Sequence, residues 1–180
     1  MNTLILLAGL PGSGKTTICR RMHELGWATR VDVDHHKRIR ADPKKVTDEV
    51  DPPEVRLLYC QDALEEALYK FDSGASIVIM DEVYPYHSVR SQMEAFCVEQ
   101  KVDVQWVEVR SSVNTAVARL SAPREGHLLH TPEIATKIHN MCAEAFEEFP
   151  EGTKNHTVVY NEDGSSIDSL VVEVLRLAKG

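Results

Sequence analysis

Residues 9–17, GLPGSGKTT, place three glycines around one lysine directly after the apolar run TLILLA. Gly9, Gly14, Lys15 and Thr16 complete the pattern G-x-x-x-x-G-K-[ST], and a helical pattern follows it. In such a loop the backbone N–H groups turn inward around an anion, and the helix adds its positive end. The lysine reaches the β and γ phosphates, and the Thr16 hydroxyl can hold Mg²⁺. We therefore predict a nucleoside triphosphate site made by Gly9, Pro11, Gly12, Ser13, Gly14, Lys15, Thr16 and Thr17.

The acidic segment SIVIMDE at 76–82 has the form of a Walker B strand. Ligands of an open parallel sheet gather at the carboxyl ends of its strands, so an acidic residue there points at the chemistry. We predict that Asp81 holds the metal together with Thr16, either directly or through water. Glu82 and Arg90 are candidate substrate-binding residues.

A third segment, RVDVDHHKRIR at 30–40, places Asp32 and Asp34 on one face of a predicted strand. A carboxylate here can accept the proton of an acceptor hydroxyl. The basic residues that follow, Arg38 among them, can steady an anionic substrate. The residues alone leave open which of the two aspartates is the base.

The segment 114–133 carries Arg119 and Arg124 and enters a helix through Thr131 and Pro132. Phosphoryl transfer requires that charge on the γ phosphate be neutralised while water is kept out. We therefore predict an arginine-bearing lid at about 121–132, with Arg119 and Arg124 as catalytic residues.

These residues need a scaffold, and the chain alternates short β-rich runs with longer segments of helical period. We predict strands near 3–8, 28–33, 76–80, 103–109 and 156–160. The fold class is α/β: three layers, with a mostly parallel five-stranded sheet, helices on both faces and a short helical lid. The length of 180 residues favours a single domain over 1–180.

Composition narrows the class of protein. The net charge of −8 argues against a broad basic surface that follows an extended nucleic-acid duplex. Cys19, Cys60, Cys97 and Cys142 are far apart without a CxxC pair, so we expect reduced, buried thiols in a cytoplasmic protein. No apolar run is long enough to predict a membrane span.

Together the segments LAGLPGSGKTT, VDVD, IVIMDEVY and WVEVRSSVNTAVAR resemble the small P-loop kinases related to polynucleotide kinase, zeta toxins and the chloramphenicol phosphotransferases. The resemblance implies the P-loop NTPase fold, ATP as donor and Mg²⁺ as cofactor. It favours Asp34 as the carboxylate that acts on the acceptor hydroxyl, and Arg38 as a substrate-side arginine. The lid reads REGH where these kinases carry more arginines, which leaves open whether His127 takes a cationic position.

We therefore expect an ATP-dependent kinase whose acceptor is a hydroxyl of a small molecule or of a nucleotide or nucleic-acid end. Two alternatives stay open. One is an ATPase or nucleotide switch without a phosphoryl acceptor, because Asp81-Glu82 also looks like the acidic pair of hydrolytic ATPases. The other is a nucleotide-binding module without catalysis.

Overall fold

The computed structural model describes residues 2–40, 50–122 and 131–178. Its centre is a sheet of five strands that pair in parallel throughout, in the order β2-β3-β1-β4-β5. The strands are β1 (Thr3–Ala8), β2 (Thr29–Val31), β3 (Ile77–Asp81), β4 (Asp103–Arg110) and β5 (His156–Tyr160). The predicted sheet is confirmed, with small differences in the strand ends.

Helices cover both faces of the sheet, as predicted. They are α1 (Lys15–Glu24), α2 (Val33–Arg40), α3 (Pro53–Asp72), α4 (His87–Glu99), α5 (Val113–Ser121), α6 (Pro132–Ala145) and α7 (Ile167–Ala178). On one face, side chains of α3 and α4 pack with Leu4 and Trp106 in one core. On the other face, α1 and α7 pack with Ile5 and Val107 in a second core. Alternate residues of each central strand feed the two cores, which explains why these strands are apolar almost throughout.

The region around Asp32 differs from its prediction. The alternation in VDVD suggested a strand to residue 33, but β2 ends at Val31 and α2 begins at Val33. Asp32 caps this helix, since its carboxylate accepts the backbone N–H of His35 at 3.3 Å. Aspartate is a preferred N-cap, so the local cap overrides the two-residue alternation. The expectation that Asp32 and Asp34 share one face of a strand is therefore wrong, and Asp34 lies in the first turn of α2.

Other helix ends follow the sequence. Thr131 caps α6 by accepting the N–H of Ile134, and Pro132 occupies the first turn. Ser166 caps α7 by accepting the N–H of Ser169. All four cysteines are free and buried. Among the described helices, none has the length and apolar character that crossing a membrane requires.

Candidate active site

The loop between β1 and α1 wraps tightly against its surroundings. Gly12 and Gly14 adopt the left-handed region, with φ values of 84° and 95°. A Cβ at Gly12 would lie 2.4 Å from the carbonyl oxygen of Ala116 in α5, and one at Gly14 would lie 2.2 Å from the side-chain nitrogen of Asn161. Only glycine fits both the backbone angle and the space at these two positions.

The backbone of this loop presents donors at the start of α1. The carbonyl of Gly14 is the first acceptor of the helix and receives the N–H groups of Thr17 and Ile18. The N–H groups of Gly14, Lys15 and Thr16 precede that first helical hydrogen bond, so they remain available to an anion at the positive end of the helix. N–H groups free at the start of a helix are what a phosphate site requires.

Lys15 lies inside the loop and is only 8% exposed. Its ammonium group donates to the carbonyl oxygens of Gly9 at 2.7 Å and Leu10 at 3.0 Å. Burial lowers the pKa of Lys15, although the carboxylates of Asp81 and Glu82 act in the opposite direction. An anionic phosphate in the loop would compensate the desolvated ammonium.

The pairing of β1 with β3 brings Asp81 to the loop, because Leu7 and Asp81 are register partners. The Thr16 hydroxyl donates to one carboxylate oxygen of Asp81 at 2.6 Å. The other oxygen, Oδ1, is buried without a hydrogen-bond partner, and the guanidinium of Arg30 approaches it at 3.6 Å. Hydroxyl and carboxylate oxygens are the protein ligands that Mg²⁺ prefers, so the donor set fits this ion. The described residues contain no group of three or more His, Cys, Asp or Glu side chains that could hold a metal by themselves.

The two candidate bases have different surroundings. Besides capping α2, the Asp32 carboxylate lies within ion-pair distance of Arg30 (3.4 Å) and Arg38 (3.8 Å). Asp34 is exposed and forms no ion pair with any other described residue. Protein around Asp34 nevertheless desolvates its carboxylate and raises its pKa, and the negative charges of Glu82, Asp81 and Asp32 raise the pKa further.

Glu82 lies next to Asp81 but is held by an arginine that the sequence analysis missed. Arg56 of α3 is 4% exposed, and its Nη1 donates to Glu82 Oε1 at 2.5 Å. Tyr59 donates to the same oxygen, and the backbone N–H of Val83 donates to the other. Both carboxylate oxygens of Glu82 are therefore engaged within the protein. The only signal in the sequence was an arginine at a position of α3 that packs inward.

Arg90, predicted to bind substrate, and Arg119, predicted to belong with the lid, make different contacts. Arg90 is 3% exposed, donates to the carbonyls of Tyr84 and Glu147, and lies 4.2 Å from the centre of the Phe149 ring. The guanidinium of Arg90 is therefore enclosed and joins α4 to the segment after α6. That Arg90 binds substrate stays a prediction.

Arg119 lies on α5 and not in a loop. Its guanidinium donates to the carbonyls of Ser13, Asn161 and Glu162, so it reaches the phosphate loop from the side. Arg124 and His127 lie outside the described residues, as does most of the predicted lid. The helices α5 and α6 flank that segment and pack against each other.

Comparisons with known proteins agree with this architecture. A family described as AAA domain matches residues 4–147, so the chain belongs to this family. No curated protein matches the sequence.

Several solved structures are similar over nearly the whole chain. The gluconokinase from Sinorhizobium meliloti 1021 is 18% identical with a TM-score of 0.66, and the match covers 98% of this chain and 94% of that one. A sugar kinase from Janibacter sp. HTCC2649 is 15% identical with a TM-score of 0.69, covering 99% and 95%. The APS kinase of Mycobacterium tuberculosis, in complex with AMPPNP and APS, is 18% identical with a TM-score of 0.66, covering 99% and 98%. At these identities the likeness establishes the fold, which is that of the P-loop NTPases.

Proposed function

We propose that this member of the AAA domain family is a kinase that transfers the γ-phosphoryl group of ATP to a hydroxyl of a second substrate, with Mg²⁺ as cofactor. The observation that carries the proposal is the environment of the Asp34 carboxylate. Its carboxylate has no ionic partner among the described residues, and it lies close enough to Asp81, Glu82 and Lys15 for their charges to interact. A carboxylate with a raised pKa beside a phosphate loop has the properties of a general base.

Each group of the chain has a role in this reaction. The loop amides and Lys15 bind the β and γ phosphates and offset the charge that develops during transfer. Asp34 orients the acceptor hydroxyl and takes its proton. Thr16 and Asp81 would hold Mg²⁺, which neutralises phosphate charge when bound. Arg119 adds positive charge beside the loop, and Arg124 is proposed to do so from the lid.

The comparisons support a kinase in a general way. The similar structures are described as a gluconokinase, a sugar kinase and an APS kinase, and the last was solved with AMPPNP. Each match covers at least 98% of this chain. An ATPase without an acceptor is less well supported, because the Glu82 carboxylate is engaged by Arg56 instead of facing a water.

The acceptor side of the site favours a small molecule. The basic residues of α2 that could grip a nucleic-acid end are close to acidic partners: Lys37 with Asp51 at 2.7 Å, Arg38 with Asp32 at 3.8 Å and Arg40 with Asp62 at 2.5 Å. Little positive charge is therefore left on this helix to attract a phosphate backbone. A nucleotide or nucleic-acid end remains the second acceptor class for the assay.

The test combines labelled ATP, Mg²⁺ and a panel of sugars, antibiotics, nucleosides and oligonucleotide ends. For any accepted substrate, Asp34→Asn should lower the rate of transfer by about a hundredfold or more, with the affinity for MgATP unchanged. Asp32→Asn is the matched control, since asparagine also caps helices well and should preserve most activity.

Full turnover in Asp34→Asn would reject this residue as the base. Rapid phosphate release without any acceptor, lost in Glu82→Gln, would instead identify a hydrolase.

A further inference from the structure

The outer side of the phosphate loop poses a separate structural problem. When a loop points its N–H groups inward to an anion, some of its carbonyl oxygens must point outward, and buried carbonyls require donors. Two such carbonyls belong to Pro11 and Ser13. Each accepts a hydrogen bond from a side chain that lies far away in the sequence.

Asn161 supplies the donor for Ser13. It follows β5 directly, is 7% exposed, and its backbone N–H donates to the carbonyl of Arg110 at 2.8 Å. Its side-chain Nδ2 donates to the Ser13 carbonyl at 2.8 Å in a buried hydrogen bond. The same nitrogen occupies the space that a Cβ on Gly14 would need. Asn161 thus fixes the peptide that directly precedes the start of α1.

His139 supplies the donor for Pro11. It lies on the inner side of α6, is 3% exposed, and its Nδ1 is 3.2 Å from the Pro11 carbonyl oxygen. Because that carbonyl can only accept, Nδ1 must carry the proton in this contact. The loop is therefore held at two carbonyl groups on either side of Gly12, one by the sheet edge at β5 and one by α6.

We propose that Asn161 and His139 are positioning residues that set the phosphate loop before nucleotide binds. They hold two carbonyls outward, so the N–H groups of Gly14, Lys15 and Thr16 already face the triphosphate. This role rests on the proposed nucleotide site. It also links the loop to α6, one of the two helices that flank the predicted lid.

The energetic basis is preorganisation. Without His139 the Pro11 carbonyl loses its side-chain donor. Without Asn161 the Ser13 carbonyl keeps, among the described residues, only the longer hydrogen bond from Arg119 at 3.4 Å. In either case the peptide is held less firmly and can rotate to reach water. Either change moves N–H groups away from the phosphates, and the cost of ordering them is then paid on binding. The defect should therefore appear in affinity for the phosphate chain, with little change in the affinity for the acceptor.

The experiment measures MgATP and magnesium tripolyphosphate binding by calorimetry in the full chain. Asn161→Leu and His139→Leu should each weaken both ligands about tenfold or more. His139→Asn should stay within about threefold of the wild type, because an asparagine amide can donate from the position of Nδ1. In turnover assays, the KM for ATP should rise while the KM for the acceptor is unchanged.

Asn155→Leu is the matched control. Asn155 also donates to a buried strand carbonyl, that of Val104 at 3.2 Å, but it lies at the opposite end of β5. It should lose thermal stability and keep its affinity for MgATP. If Asn161→Leu does not fold, the comparison of His139→Leu with His139→Asn decides the question.

The outcomes separate two failures. Variants that bind both ligands like the wild type would overturn the positioning role and leave the nucleotide site intact. A wild-type protein that binds neither ligand would overturn the proposed function itself. Equal losses in Asn155→Leu and Asn161→Leu would show that general destabilisation, not loop positioning, lowers affinity.

Discussion

Removing one partner of the buried ion pair between Arg56 and Glu82 should cost far more stability than removing one partner of an exposed pair on the neighbouring helices. Their side chains are 5% and 8% exposed, and the two atoms that join them are 2.5 Å apart. Removing one partner of a buried pair leaves an uncompensated charge, which costs about 3–5 kcal/mol of unfolding free energy. That is a large part of the stability of an ordinary domain, about 5–15 kcal/mol.

We expect Arg56→Met and Glu82→Leu each to lower stability by this amount. For a chain of this size, 1 kcal/mol corresponds to about 2–4 °C in Tm, so the expected loss is about 6–20 °C. The double variant should recover much of the loss, because apolar residues of similar volume often replace a buried pair at little cost. Urea denaturation of the four proteins gives the coupling free energy.

The pair of Arg40 and Asp62 provides the control, since it also has a 2.5 Å contact but side chains that are 45% and 28% exposed. Arg40→Met should cost at most about 1 kcal/mol, because solvent screens exposed pairs. Additive losses in the Arg56 and Glu82 cycle, or equal losses in the two pairs, would refute the argument that burial of this pair controls its energy.

Three further predictions concern the phosphate loop and the proposed base. Gly14→Ala should abolish measurable MgATP binding in calorimetry, because the new Cβ would lie 2.2 Å from Asn161. Gly74→Ala is the control and should leave the affinity unchanged, since Gly74 has a similar φ of 101° but no neighbour within 4 Å of the added Cβ. Desolvation raises the pKa of Asp34, as do the negative charges of Glu82, Asp81 and Asp32, while Lys37 acts in the opposite direction. The acidic limb of the kcat/KM profile should therefore lie at a higher pH than an ordinary aspartate would give. A folded-state pKa above the unfolded value favours folding below the unfolded pKa, and this contribution is lost as pH rises through the folded pKa. Thermal denaturation should therefore show Asp34→Asn more stable than the wild type at neutral pH, with the difference vanishing in acid; a less stable variant at neutral pH would contradict this sign.

The phosphate loop and the sheet could be predicted because their signals are local. Glycine, lysine and threonine at fixed spacing identify this loop from residues 9–17 alone, although residues far away in the sequence hold its outer carbonyls. The apolar strands and capped helices likewise follow from periodicity and from cap residues such as Thr131. The position of Asp81 could also be predicted, since an acidic residue at the end of a buried parallel strand lies at the edge of the sheet where ligands bind.

The surroundings of the candidate base depended on a competition that the sequence does not display. The pattern VDVD suits a strand and also suits a capped helix start. The Asp32 cap favours the helix locally, and α2 also packs against α3. That choice engages the Asp32 carboxylate and leaves Asp34 without an ion pair among the described residues.

Contacts between residues far apart in the chain could not be predicted from the sequence, for a physical reason. Periodicity and caps report interactions within about one helical turn or along one strand. The contacts of Arg56 with Glu82, Arg90 with Glu147, and Asn161 with Ser13 join residues that are 26, 57 and 148 positions apart. Only the order of the parallel strands and the packing of helices on them bring such groups together. The sequence by itself determined that the chain builds a glycine-rich loop on an α/β sheet, and the tertiary structure decided which charges surround it and which residues hold it in shape.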